Sequence, residues 1–156
     1  MDAVRTLQRI ISSDYRMAAL QTTEPERLLA LFKRLTMTTG QAIYHWQPEN
    51  GLYRLGAEHI LIPRTRSSNE VVAYIKAAKH YGVYLLEGFE SALSRQSIQG
   101  EIHTIVQRDD DVRRLMLFMG DTVTIPEPLK PYAAIVRQNP AAVGEGQAQH
   151  LGDQAG

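Results

Sequence analysis

The stretch Tyr81–Glu90, YGVYLLEGFE, decides the fold. Its middle, Val83 to Leu86, is a short apolar run with a β-branched and an aromatic member, bounded by Gly82 and Gly88. Such a run reads as a strand buried on both faces of a parallel sheet, where no polar alternation is needed. Glu87 follows it with a carboxylate, so the C-terminal tip of the strand opens onto a crevice. That tip matters because ligands of open α/β sheets bind beyond the carboxyl ends of the strands.

Working outward, Val71, Val72, Tyr74, Ile75 and Ala78 recur at helical spacing, with Ser68 or Asn69 as the cap. Beyond the strand, a helical segment breaks near Ser94–Ser97 and resumes through Ile98, Ile102, Ile105 and Val106. Asp109–Asp111 is a charged turn. Arg114–Met119 (RLMLFM) reads as a fourth strand and Ala133–Val136 (AAIV) as a fifth. Toward the N-terminus, Ala3–Ile11 has helical spacing and Arg16–Gln21 (RMAALQ) reads as the first strand. TTEPE then starts a helix: Thr23 caps, Pro25 lies in the first turn and Glu26 completes a T-x-x-E box. Gly40 supplies its stop. Gln41–Trp46 (QAIYHW) is the second strand, and residues 47–68 form a long excursion with room for a small hairpin.

Strands alternating with helices predict an α/β fold with three layers, α/β/α, and a mainly parallel five-stranded sheet joined by right-handed crossovers. Residues 1–137 form that domain. From residue 138 onward, Gly, Ala and Gln dominate with almost nothing to bury, which predicts a disordered polar tail over 138–156.

At 156 residues the chain is long enough for one domain that buries roughly two-thirds of its unfolded surface. Its 17 basic residues balance 17 acidic ones, so global charge gives no reason to expect nucleic acid or an anionic membrane as partner. The absence of cysteine excludes disulfides, thiolate metal sites and cysteine nucleophiles. No apolar run approaches the roughly 20 residues of a membrane span, and the N-terminus has no signal-peptide core. A cytoplasmic location is expected.

Four residues mark the ligand crevice: Thr22 and Thr23 after the first strand, Glu87 after the third and Asp121 after the fourth. Glu87 and Asp121 end strands expected to be neighbours, and two converging carboxylates can hold a hard cation or do acid–base work. They also serve as polar punctuation where buried strands meet solvent. Arg54, Arg64 and Arg66 lie in the excursion near His45, His59 and Trp46, a combination that can grip phosphates or simply be solvated. The histidines show no i, i+4 ligand pair and no serine lies in a G-x-S-x-G elbow, so no metal ligands and no catalytic residues are assigned.

The order of these parts resembles the AAA/P-loop ATPase core. Residues 16–23 match its first strand and loop by position, 41–46 its second strand and 83–87 its acidic metal-binding strand. Residues 114–121 match the strand that ends in a polar sensor residue, and 133–136 its fifth. More narrowly, RMAALQTTEPERLLALF, QAIYHW, GVYLLEGFESAL and RRLMLFMGDTVTIPEPL are similar to the N-terminal, degenerate P-loop domain of chloroplast- and cyanobacterial-type AAA ATPases. The resemblance covers about residues 3–137. The loop expected to cradle phosphate reads QTTEPER, without glycines or lysine, and Glu87 is followed by Gly88 instead of completing an Asp-Glu pair. The resemblance thus implies a pseudo-ATPase with no cofactor and no hydrolysis. It also implies that a motor module follows such a domain, so the polar tail marks either a stand-alone copy or a segment of something longer.

Three functions follow, in order of support. The first is a non-catalytic interaction or regulatory domain that docks on itself as a homo-oligomer or on an active AAA ATPase. The second is a module binding a nucleotide or nucleic acid through Arg54, Arg64 and Arg66 with the crevice at Thr22 and Thr23. The third is a cation-dependent enzyme at Glu87 and Asp121.

Overall fold

The computed structural model of the chain describes residues 3–138. In chain order its elements are α1 (Ala3–Ser12), β1 (Met17–Thr22), α2 (Pro25–Thr39), β2 (Ile43–Gln47), β3 (Gly51–Arg54) and β4 (Ile60–Ile62). They continue with α3 (Ser68–Ala77), β5 (Gly82–Glu87), α4 (Glu90–Leu93), α5 (Gln96–Gln107), β6 (Arg114–Gly120), a 3-10 turn (Glu127–Tyr132) and β7 (Ala133–Gln138). The polar tail expected over 138–156 lies outside the described residues, apart from Gln138 at the end of β7.

The sheet is seven-stranded, in the order β4-β3-β2-β5-β6-β1-β7. The five strands anticipated from apolar runs lie side by side and parallel: β2 on β5, β5 on β6, β6 on β1 and β1 on β7. The expected count of five falls short because the 47–68 excursion contributes β3 and β4. These add to the β2 edge as an antiparallel ribbon. Both are too short, at 4 and 3 residues, for period-2 alternation to show.

Side chains alternate across the strands, and each face has its own core. Leu7, Ile10 and Ile11 of α1 and Leu28, Phe32 and Leu35 of α2 pack on Leu20, Val83, Leu85, Leu115 and Leu117. On the other face, Val71, Val72 and Ile75 of α3 and Ile98, Ile102 and Ile105 of α5 pack on Tyr84, Leu86, Met116 and Phe118. The run from Gly82 to Leu86 is buried throughout, as its unbroken apolar text requires.

Two caps differ from expectation. Thr23 is exposed and does not cap α2; the N-cap is Glu24, with no side-chain cap bond. The physical reason is local: Thr22 Oγ1 accepts the Glu24 N–H at 2.9 Å, closing a tight turn one residue earlier, and Pro25 opens the helix at once. For α3 the cap is Ser67, not Ser68 or Asn69. Ser67 Oγ accepts the Glu70 N–H at 3.0 Å while Glu70 accepts the Ser67 N–H at 3.1 Å, a reciprocal capping box. At its other end α2 stops as predicted, with Gly40 in the left-handed region (φ 78°) and its N–H donated to the Thr36 carbonyl.

Candidate functional site

The carboxyl ends of β1, β2, β5 and β6 meet at one edge of the sheet, because these strands are parallel and consecutive neighbours. Gln21 lies opposite Gly120 and Glu87 opposite Met119, so the tips carrying Thr22, Glu87 and Asp121 stand side by side. Alternation sends Glu87 to the same face as Val83 and Leu85, the face covered by α1 and α2.

On that face Glu87 has a protein partner. His45 of β2 lies opposite Leu85, one step from the carboxylate, and its Nε2 is 2.8 Å from Glu87 Oε1. Both side chains are mostly covered. A carboxylate can only accept, so the imidazole Nε2–H donates in this contact. Nothing in the text singled out this pair, since His45 and Glu87 are 42 positions apart and only the β2–β5 register aligns them. An imidazole–carboxylate pair can relay a proton. Among the described residues, however, no three His, Asp or Glu side chains group as a metal site would need.

The junction after β1 is closed on itself. Thr22 is buried and its hydroxyl is used by the Glu24 N–H. Glu24 pairs with Arg27 at 3.1 Å on the surface, and Glu26 adds a second acid to the first turn of α2. Helix N-termini attract anions through free N–H groups and their positive dipole end. Here two carboxylates already lie in that field, and Pro25 has no N–H to offer.

The tip of β6 is crowded in a different way. The carboxylate of Glu90, in the first turn of α4, occupies the space that a side chain at Gly120 would need. A side chain at Gly120 would have to displace that carboxylate, and Asp121 beyond it is exposed. At the tip of β5, Gly88 adopts a left-handed φ of 72° and lies against the ring of Pro48, so the chain leaves β5 under the exit of β2.

The three arginines of the excursion are all exposed, and the hairpin separates them. Arg54 pairs with Ile60 at one end of the β3–β4 ladder. Arg64 and Arg66 follow Ile62, at the other end, where Ile62 pairs with Leu52. The side-chain stem of Arg66 lies over Gly51. What organises this excursion is Thr65, fully buried between the two exposed arginines. Its hydroxyl accepts the Leu52 N–H at 2.9 Å and donates to the Ile62 carbonyl at 2.7 Å, while its carbonyl accepts the Trp46 indole N–H at 2.7 Å.

A second polar cluster lies at the opposite edge of the sheet, where β6 begins. Arg114 is buried, forks onto both oxygens of Asp110 at 3.2 Å and donates to the Ala78 carbonyl at 2.6 Å. Arg113 donates to the carbonyls of Ile10, Ile11 and Tyr15, and Arg108 to that of Lys76. These guanidiniums tie carbonyls at the C-terminal ends of α1 and α3, and that of Tyr15 just before β1, to the start of β6. The cluster is structural cement between helix ends and sheet.

No helix among the described residues is long and apolar enough to cross a membrane. Residues 3–137 match a protein family described as SpoVK-like AAA ATPase, N-terminal domain. Neither the curated proteins nor the solved structures yielded a match to the chain.

Proposed function

Because the chain belongs to the family of SpoVK-like AAA ATPase N-terminal domains, we propose that it is a non-catalytic regulatory or interaction domain. In this reading it is a degenerate P-loop domain of the kind that precedes the motor of chloroplast- and cyanobacterial-type AAA ATPases. It docks on itself or on an active AAA ATPase, in the cytoplasm, and holds no cofactor. The five parallel strands with helix-packed cores on both faces support a P-loop-like ancestry for the fold.

One observation supports the loss of catalysis: the junction after β1, QTTEPER, lacks the glycines and lysine with which a phosphate loop holds a triphosphate. A phosphate loop needs glycines for close backbone approach and a lysine for the terminal phosphates. Here Thr22 closes the turn on Glu24, Pro25 follows, and Glu24 and Glu26 present negative charge. Glu87 supports the same reading, since its carboxylate is taken up by His45. The separation of Arg54 from Arg64 and Arg66 removes support from a shared phosphate grip in the excursion.

Thermal unfolding with and without Mg-ATP tests the proposal. A ligand at a hundred times its dissociation constant adds about 2.7 kcal/mol, or several degrees in Tm for a domain of this size. The expected shift is none, together with no phosphate release. A shift of several degrees, or turnover abolished by Glu87→Gln, overturns it.

A further inference from the structure

We propose that the outward side of α1 and α2 is a docking surface for an acidic segment of a partner protein, one that carries carboxylates beside apolar side chains. This surface rests on the reading of the chain as an interaction domain and narrows it to one face and one partner chemistry.

The chain as a whole is neutral, with 17 basic residues against 17 acidic ones, so a mixed surface is expected on any one face. The two faces of the sheet depart from that balance in opposite directions. α1 and α2 carry Arg5, Arg9, Arg27, Lys33 and Arg34 against Glu26 alone. On the other face α3, α4 and α5 carry Lys76 against Glu70, Glu90 and Glu101. The cations of α1 and α2 stand on one surface, because both helices pack on the same side of the sheet. The Tyr81 hydroxyl links their ends, 3.5 Å from the Ile11 carbonyl of α1 and 3.5 Å from Gln41 Nε2 just past α2. Helical spacing turns Arg5 and Arg9 away from Leu7, Ile10 and Ile11, and Arg27 and Arg34 away from Leu28, Phe32 and Leu35. All four arginines are exposed. Of the five cations, Arg27 alone has a salt bridge among the described residues, to Glu24.

These placements work against the helix that carries them. Arg5 lies in the first turn of α1, at the positive end of the helix dipole, and Arg9 follows it at i+4 as a like charge. An anionic partner offsets both costs. Three observations select an acidic protein over other anions. The apolar sides of both helices are committed to the core, so neither helix can insert into a lipid surface. Among the exposed residues of α1 and α2 there is no aromatic ring on which a base could stack. Ala30 and Met37, the latter 60% exposed, share the outward side of α2 with Arg27 and Arg34. Apolar contact is thus offered between the charges, and Met and Arg are residue types that protein interfaces favour.

Binding measurements on the full chain at low salt test this with three probes: a labelled amphipathic peptide with Glu and Leu at helical spacing, a short DNA duplex, and vesicles of phosphatidylcholine and phosphatidylserine. The peptide is expected to bind in the micromolar range and to weaken as salt is added. Arg9→Ala combined with Arg34→Ala should weaken it about tenfold. Met37→Ser should weaken it without changing the salt dependence, and Lys76→Ala, on the other face, should leave it unchanged. Arg5→Glu separates docking from folding. It puts an acid at the start of α1 and an opposite charge before Arg9, so it should weaken the peptide while raising Tm by about 1–3 °C. No binding of the peptide, binding unmoved by the arginine changes, or a duplex or vesicle bound more tightly than the peptide overturns the proposal. If the chain binds itself or an active AAA ATPase and the arginine variants leave that binding intact, this face is refuted and the interaction-domain reading stands. A chain that binds neither of those nor the peptide refutes both.

Discussion

Arg114 shows how a single residue couples sheet, helix and pH. Its side chain is 3% exposed and its charge is met by Asp110, which is about one-third exposed. Arg114→Met keeps the apolar stem but withdraws the donors to Ala78 and Asp110. The expected loss is about 2 kcal/mol in denaturant unfolding, the range of charge-assisted hydrogen bonds. Asp110 carries the pH dependence. Its hydrogen bonds from Arg114, helped by the Val112 N–H and the charges of Arg114 and Arg108, hold its carboxyl below the ordinary value of 3.8. A depressed folded pKa means that the stabilisation is complete above the unfolded value and fades as pH falls through the folded one. Stability should therefore decline below about pH 4, and Asp110→Asn should flatten that decline while lowering stability at neutral pH. Glu70 adds a component of the same sign, because the backbone N–H of Ser67 holds it below 4.5. A wild-type acid limb as steep as the variant's would remove Asp110 from this role.

At the scale of elements, the five parallel strands were legible because burial on both faces leaves an apolar run that no helix period explains. RLMLFM and GVYLLE have the length of strands and lie between turn signals, which favours strand over a buried helix segment. The ribbon was legible only as room for a small hairpin in the excursion, because its order comes from one buried hydroxyl. Thr65 in the text PRTRS looks like loop, yet it ties Leu52, Ile62 and Trp46 together. The cap of α3 was within reach, since Ser67 and Glu70 have capping-box spacing, but Ser68 and Asn69 compete as single-residue caps. The His45–Glu87 pair was out of reach for a different reason, since it depends on register between strands far apart in sequence. Thr65→Val tests the element-scale claim. It keeps the shape but strands the Leu52 N–H and the Ile62 carbonyl, and should cost about 2 kcal/mol by the penalty for buried unpaired groups. Thr65→Ser should restore most of it. Equal stability for the Val variant would mean that the ribbon is held by its packing alone.

Across the whole molecule, stability is expected to be graded from the centre of the sheet to the β4 edge. β5 and β6 have neighbours on both sides and are buried on both faces, so opening either disrupts both cores. The ribbon joins the sheet through β2 alone, and most of its outer strand is exposed. Local opening free energies run from near zero up to the global value, commonly about 5–15 kcal/mol. Native-state hydrogen exchange should therefore find the amides of Val83–Leu86 and Leu115–Phe118 exchanging only through global unfolding. The outward amides of β4 should exchange through a much smaller opening, and those of β3, bonded on both sides, in between. Hairpin amides as slow as those of β5 would mean that the ribbon belongs to the same cooperative unit as the core. The addition of β3 and β4 would then be integral to the fold, and the outer edge would be a rigid surface from the start.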